Sequence, residues 1–155
     1  MAAYFIDSSA LVKAYIIETG TVWMRSIVDD EDNVVHIASL TQVEIISAFT
    51  RRFRRGDITQ AEIDAACDES QLDIANQFEI VQVTDLVIKE AANLAKSRGL
   101  RAYDAVQLAA ALDTKGLVTQ ATEDQSMELI LVSADLDLNA AAAAEGLKVK
   151  DPNNH

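Results

Sequence analysis

Short apolar runs that alternate with longer stretches of helical periodicity limit this chain to one class of architecture. The runs cover residues 4–6, 34–38, 80–83, 129–132 and 147–149, each the length of a short buried strand. The stretches 21–28, 40–55, 59–78, 84–99, 101–115 and 134–145 predict helices, as does the segment that opens at Ser8 or Ser9. Some carry their own punctuation. Gly56 follows the 40–55 stretch where a helix favours glycine, and Thr59 with Glu62 three residues on forms a capping-box pattern. Residues 29–33 predict an acidic turn, and 119–128, polar and acidic, predict a loop. Strands in alternation with helices predict an α/β fold whose sheet is mainly parallel. In such sheets functional groups collect at the carboxyl ends of strands. The 155 residues suffice for a single domain spanning 1–155 with a substantial core.

Acidic residues stand where a buried face normally has none. Asp7 closes the first apolar run and Asp135 follows the 129–132 run, so both reach the carboxyl edge of the sheet. Glu44 interrupts the helix of 40–55, and Asp104 lies in the Ala- and Leu-rich segment 100–111. Each has a plain structural explanation. Asp7 suits a helix N-cap, and Asp135 and Asp137 suit the first turn of a helix, where the macrodipole favours acids. Asp104 is three residues past Arg101, a surface pair worth only ~0.2–0.5 kcal/mol. Glu44 borders an apolar stripe of Val43, Ile46, Phe49 and Phe53, on a line through Ala48, Arg51 and Arg55. Taken together, Asp7, Glu44, Asp104 and Asp135 point to one shared acidic pocket. Like charges repel unless a cation holds them. Carboxylate and water oxygens suit Mg²⁺ or Mn²⁺.

Composition excludes several alternatives. The net charge of −12 argues against tight, nonspecific binding to a nucleic-acid duplex. The dense basic run is Arg51-Arg52-Phe53-Arg54-Arg55, a local track beside Glu44 or simply favourable charge at a helix end. Cys67, the single cysteine, forms no internal disulfide, and neighbouring acids would raise its thiol pKa. His36 and His155 make no zinc cluster, and no glycine-rich phosphate loop is present. The start lacks a basic region ahead of an apolar one, and the apolar stretch 140–144 is too short to span a bilayer. A soluble cytoplasmic protein is the expectation.

Four stretches then resemble a known family in order and spacing. They are Asp7-Ser8-Ser9-Ala10-Leu11-Val12-Lys13, Val43-Glu44-Ile45-Ile46-Ser47-Ala48, Leu100-Arg101-Ala102-Tyr103-Asp104-Ala105-Val106-Gln107-Leu108-Ala109, and Val132-Ser133-Ala134-Asp135-Leu136-Asp137-Leu138. The chain is similar to PIN domains, close to the VapC type of toxin ribonuclease, from about Tyr4 to Pro152. The resemblance implies a PIN-like three-layer α/β/α sandwich with a mainly parallel central sheet. It implies a metal-dependent endoribonuclease in which Asp7, Glu44, Asp104 and Asp135 hold one or two Mg²⁺ or Mn²⁺ ions. Family spacing, with the site acid three residues before Leu138, selects Asp135 over Asp137. Asp137 is then an outer residue of the site. Ser9 either caps the first helix or holds Asp7 in place; the residues leave both open. Lys13 resembles the lysine that closes the family's first motif, which adds it to Arg51 and Arg55 as an RNA contact or leaves it a solvated helix residue. Implied partners are single-stranded or looped RNA, a cognate antitoxin protein and a second copy in a homodimer, with no membrane. The alternatives are an inactive PIN-like module that binds RNA or protein, and a non-toxin RNA-processing nuclease. A phosphoacceptor receiver domain needs an aspartate ending a middle strand, whereas Asp104 sits in a helix.

Overall fold

The computed structural model describes residues 2–122 and 127–155. In chain order the elements are β1 (Ala3–Ile6), α1 (Ser8–Tyr15), α2 (Thr21–Val28), β2 (Val34–Ala38), α3 (Thr41–Arg54), α4 (Gln60–Asn76), β3 (Glu79–Val81), α5 (Asp85–Arg98), α6 (Ala102–Ala121), β4 (Leu129–Val132), α7 (Leu136–Ala144) and β5 (Lys148–Lys150). The strands form a five-stranded sheet in the order β3-β2-β1-β4-β5, and every pairing is parallel.

Period-two alternation along the strands divides the core into two layers. Ile6, Val35, Ile37, Ile130 and Val132 point to one face and pack with α1 to α4. Ala3, Phe5, Leu129 and Leu131 point to the other and pack with α5, α6 and α7. Leu131 and Phe5 are fully buried, and each such side chain contributes ~1.5–3 kcal/mol of apolar burial. The α/β/α sandwich expected from the resemblance is therefore the architecture observed.

The path of the chain puts a crevice at the centre of the sheet. From β1 it moves outward to β2 and β3, then crosses back to lay β4 on the other side of β1. A sheet whose strand order reverses in this way leaves an opening at the carboxyl ends of the two central strands. Asp7 and Asp135 follow those two strands.

Three local expectations need correction. Helix α6 continues to Ala121, six residues past Lys115, so 119–121 are helical rather than loop. Within it Thr114 and Thr119 donate to the carbonyls of Ala110 and Lys115, both at 2.8 Å, so their hydroxyls are satisfied by the helix itself. The rest of the expected 119–128 loop falls largely on residues 123–126, outside those described. On α3 the buried face is Thr41, Ile45 and Phe49, whereas Val43 is 72% exposed and Phe53 36%. This helix carries apolar residues on two adjacent faces that share Phe49, whose ring meets Tyr15 of α1 edge-on. Finally, neither serine caps α1; Asp7 does.

Candidate active site

Two adjacent loops build the floor of the crevice. The Asp7 N–H donates to Val132 O at 3.1 Å, extending the β1–β4 pairing past the strand end. Asp7 Oδ1 accepts from the Ala10 N–H at 3.1 Å and so caps α1. Asp135 Oδ1 accepts from the Leu138 N–H at 2.9 Å and caps α7 in the same way. A cap of this kind occupies one carboxylate oxygen of two, so capping and metal ligation do not compete. Ser9 ties the loops together. Its hydroxyl donates to Asp7 Oδ1 at 2.7 Å and accepts from the Ala134 N–H at 3.0 Å. Of the two roles open to Ser9, holding Asp7 in place is the one observed. Ser133, fully buried, accepts from the Asp135 N–H at 3.0 Å and stiffens the second loop.

Glu44 reaches the same region from the first turn of α3, and Asp104 from the first turn of α6. Both oxygens of Glu44 are held. Ser8 Oγ donates to Oε2 at 3.2 Å, and Gln107 Nε2 donates to Oε1 at 2.8 Å.

Electrostatics show that the acids act on one another. Asp7 is 2% exposed, and its pKa is pushed up to about 7. Burial is the main cause and the charge of Asp104 adds to it, against the hydrogen bonds from Ser9 and Ala10. Burial also raises Glu44, again with a contribution from Asp104, while Gln107 and Ser8 oppose it. Asp104 itself is raised by burial and by the charges of Asp135 and Asp137, with Arg101 opposing. Asp104 is thus the hub through which the set is coupled. Among the described residues, no three acidic, histidine or cysteine side chains converge closely enough to bond one ion together. The donor set still fits magnesium, which keeps several waters and takes only one or two carboxylates. Every available donor is a hard carboxylate oxygen, which suits Mg²⁺ or Mn²⁺.

The profile of the family described as PIN domain matches residues 4–144. The chain belongs to the PIN-domain family. Ribonuclease VapC45 of Mycobacterium tuberculosis is 31% identical over 112 residues, covering 72% of this chain and 76% of the relative. The fold is shared with M. tuberculosis VapC20, described as a Sarcin-Ricin loop cleaving toxin, at 15% identity and a TM-score of 0.60, over 89% of this chain and 94% of that one. It is also shared with VapBC2 from Rickettsia felis, solved bound to a DNA fragment from its promoter, at 13% identity and a TM-score of 0.59, over 96% and 98% of the chains.

In this PIN domain a cavity of about 850 Å³ opens along α3, and of the four acids Glu44 lines it. Glu44, Ser47, Ala48, Arg51 and Arg55 line it, which is the helical face anticipated for the basic track, and Tyr103 of α6 lines it too. Arg51 donates to Ser47 Oγ at 2.8 Å and Arg55 pairs with Asp57 at 3.3 Å; both arginines are exposed. Arg52, by contrast, is tied to Glu18 at 3.0 Å. Lys13 is neither solvated nor turned to the cavity. It is buried, and its ammonium donates to Thr19 O at 3.1 Å and pairs with Glu18 at 3.5 Å. Asp137 is exposed in the first turn of α7 and acts on Asp104 through charge. Sequence reasoning passes over Ser8, Gln107 and Ser133. A signal for Gln107 exists: it is a polar side chain between Val106 and Leu108 on a helix otherwise apolar at that level.

Proposed function

We propose that the chain is an endoribonuclease that cuts single-stranded or looped RNA with Mg²⁺ or Mn²⁺ at Asp7, Glu44, Asp104 and Asp135, as the toxin of a toxin–antitoxin pair. The observation that carries this is the gathering of four acids at one crevice: Ser8 beside Asp7 and Gln107 one turn past Asp104 both bond Glu44, Ser9 joins the Asp7 loop to Ala134 beside Asp135, and Asp7 is buried. A buried carboxylate without a cation is costly. The VapC relative supports the ribonuclease part, and VapC20, a toxin that shares the fold, motivates the toxin part.

When bound, a divalent ion supplies Lewis acidity for activating water and for offsetting charge on the departing 3′ oxygen. The chain's own residues set the stage. Ser9 and the backbone of α1 fix the orientation of Asp7. Ser8 and Gln107 fix Glu44. Arg51 and Arg55 offer positive charge to phosphates next to the one cut, and Tyr103, 67% exposed on the cavity wall, offers a face to an unpaired base. A splayed strand can enter such a cleft edge-on, whereas a duplex would meet the repulsion of a −12 surface. The exposed Val43 beside Ile46 on α3 supports contact with a second protein chain, as a homodimer or with an antitoxin.

Purified protein, free of any partner, should cut RNA in Mg²⁺ or Mn²⁺, stop in EDTA, and be silenced by the coexpressed product of an upstream antitoxin frame. Cleavage that persists in EDTA would overturn the mechanism. Binding without cleavage would make the chain an inactive PIN module instead.

The basic track has its own test. Replacing Arg51 and Arg55 with alanine should weaken RNA binding and leave metal affinity alone. It should also flatten the log–log salt dependence by ~0.7 for each phosphate that the protein no longer neutralises. Arg54→Ala is the control, because Arg52 is already committed to Glu18. If the double variant and the control bind RNA with one affinity and one salt slope, the arginines only balance the helix dipole.

A further inference from the structure

Gln107 lies on α6 one turn beyond Asp104, on the same side of the helix. It is 1% exposed. Its Nε2 donates to Glu44 Oε1 at 2.8 Å and to Thr41 Oγ1 at 2.9 Å, so one amide grips α3 at two points. This fixes which end of the amide is nitrogen. The flipped group would set its carbonyl oxygen against a carboxylate oxygen, with no proton between them. Gln107 Oε1, in turn, is buried without a partner. A buried acceptor left unpaired costs stability, and an apolar side chain of similar size would avoid that cost. The position therefore holds a residue that a core alone would not favour.

We propose that Gln107 is a positioning residue for the metal site, holding Glu44 at the place relative to Asp104 where one hydrated cation can serve both. The proposal rests on the assignment of a divalent ion to these acids. With Ser8 on Oε2 and Gln107 on Oε1, each oxygen of Glu44 has one protein donor. A carboxylate offers about four lone-pair directions, so acceptor capacity remains for the ion or its water. Without the amide, Glu44 keeps only the hydrogen bond from Ser8 and is free to change rotamer. Its contribution to the site then depends on an ordering cost met at each binding event. Partners of this kind, one bond removed from the ion, typically change metal affinity by about 10–100-fold when removed.

Calorimetric Mn²⁺ titration of the purified protein tests this directly, with no RNA present. Gln107→Leu fills the space and removes the donor. It should weaken Mn²⁺ binding by roughly 10–100-fold. Its metal-free melting temperature should change little, because losing the orphaned Gln107 oxygen offsets in part the donor lost to the buried Thr41 hydroxyl. In cleavage assays the Mn²⁺ needed for half-maximal rate should climb while the rate at saturating Mn²⁺ stays near wild type. Gln107→Met is the second variant should leucine fit poorly. Thr41→Val leaves the Glu44 donor in place and should bind Mn²⁺ nearly as wild type does. Unchanged Mn²⁺ affinity in both Gln107 variants would overturn the proposal. So would a loss in Thr41→Val as large as in Gln107→Leu, because helix spacing would then be the cause. Wild type that takes up no Mn²⁺ would instead remove the metal assignment itself.

Discussion

Asp7→Asn protein should lose RNA cleavage and yet, stripped of metal at about pH 8, should melt about 5–10 °C higher than wild type. Both halves come from the same carboxylate. If Asp7 holds the ion as proposed, removing it forfeits several kcal/mol of transition-state stabilisation, about two to three orders of magnitude in rate. Asparagine keeps the carbonyl oxygen that accepts from Ala10, and it caps helices about as well as aspartate, so α1 should stay intact. What disappears is a buried negative charge beside the charge of Asp104. On the proposed assignment, added Mn²⁺ should then raise the melting temperature of wild type and leave the variant unmoved, because ligand binding to the folded state stabilises it. A variant that melts well below wild type without metal would show that the aspartate is needed for structure.

The second large effect is a pH dependence of the metal-free wild type. Asp7 loses its proton near the ordinary value of 3.8 when the chain is unfolded, but only near 7 when it is folded. Between these values the folded state holds a proton that the unfolded state has released. Stability from this group is therefore complete below pH ~4, falls as the pH rises towards ~7, and is flat above that. The full span is at most on the order of 4 kcal/mol. Glu44 and Asp104 are raised as well and act in the same direction. Urea midpoints across this range, wild type against Asp7→Asn, should diverge steadily as the pH climbs. Parallel curves would mean that Asp7 ionises normally in the folded protein.

The main architecture is legible because strand and helix periods differ and because turn residues mark the joints. The strand at 34–38 and the helix at 21–28 match the pattern to the residue, and the Thr59–Glu62 capping box is present. Orientation is harder to read. Val43 and Phe53 extend a helical stripe on paper, but whether Ile45 or Val43 turns inward depends on what α1 presents. The acids are readable from their apolar surroundings. Their supports are not: Gln107 meets Glu44 across 63 positions of sequence and Ser9 meets Ala134 across 125, and only the fold brings those partners together. Lys13 shows the converse. Its place in a motif suggests a free cation, and Glu18, from the loop just beyond, takes that charge up.

The central pairing of β1 with β4 also has a consequence for timing. Of the four acids, Asp135 leaves the ribosome last, and the crevice has only one wall until β4 docks against β1. Contacts between such distant segments must wait for the later one to be made, however fast the early helices form. A nascent or stalled chain that ends before β4 thus carries Asp7, Glu44 and Asp104 without the groove that unites them. If the chain is the nuclease proposed, it should remain harmless to the message and ribosome that are producing it until synthesis is nearly complete.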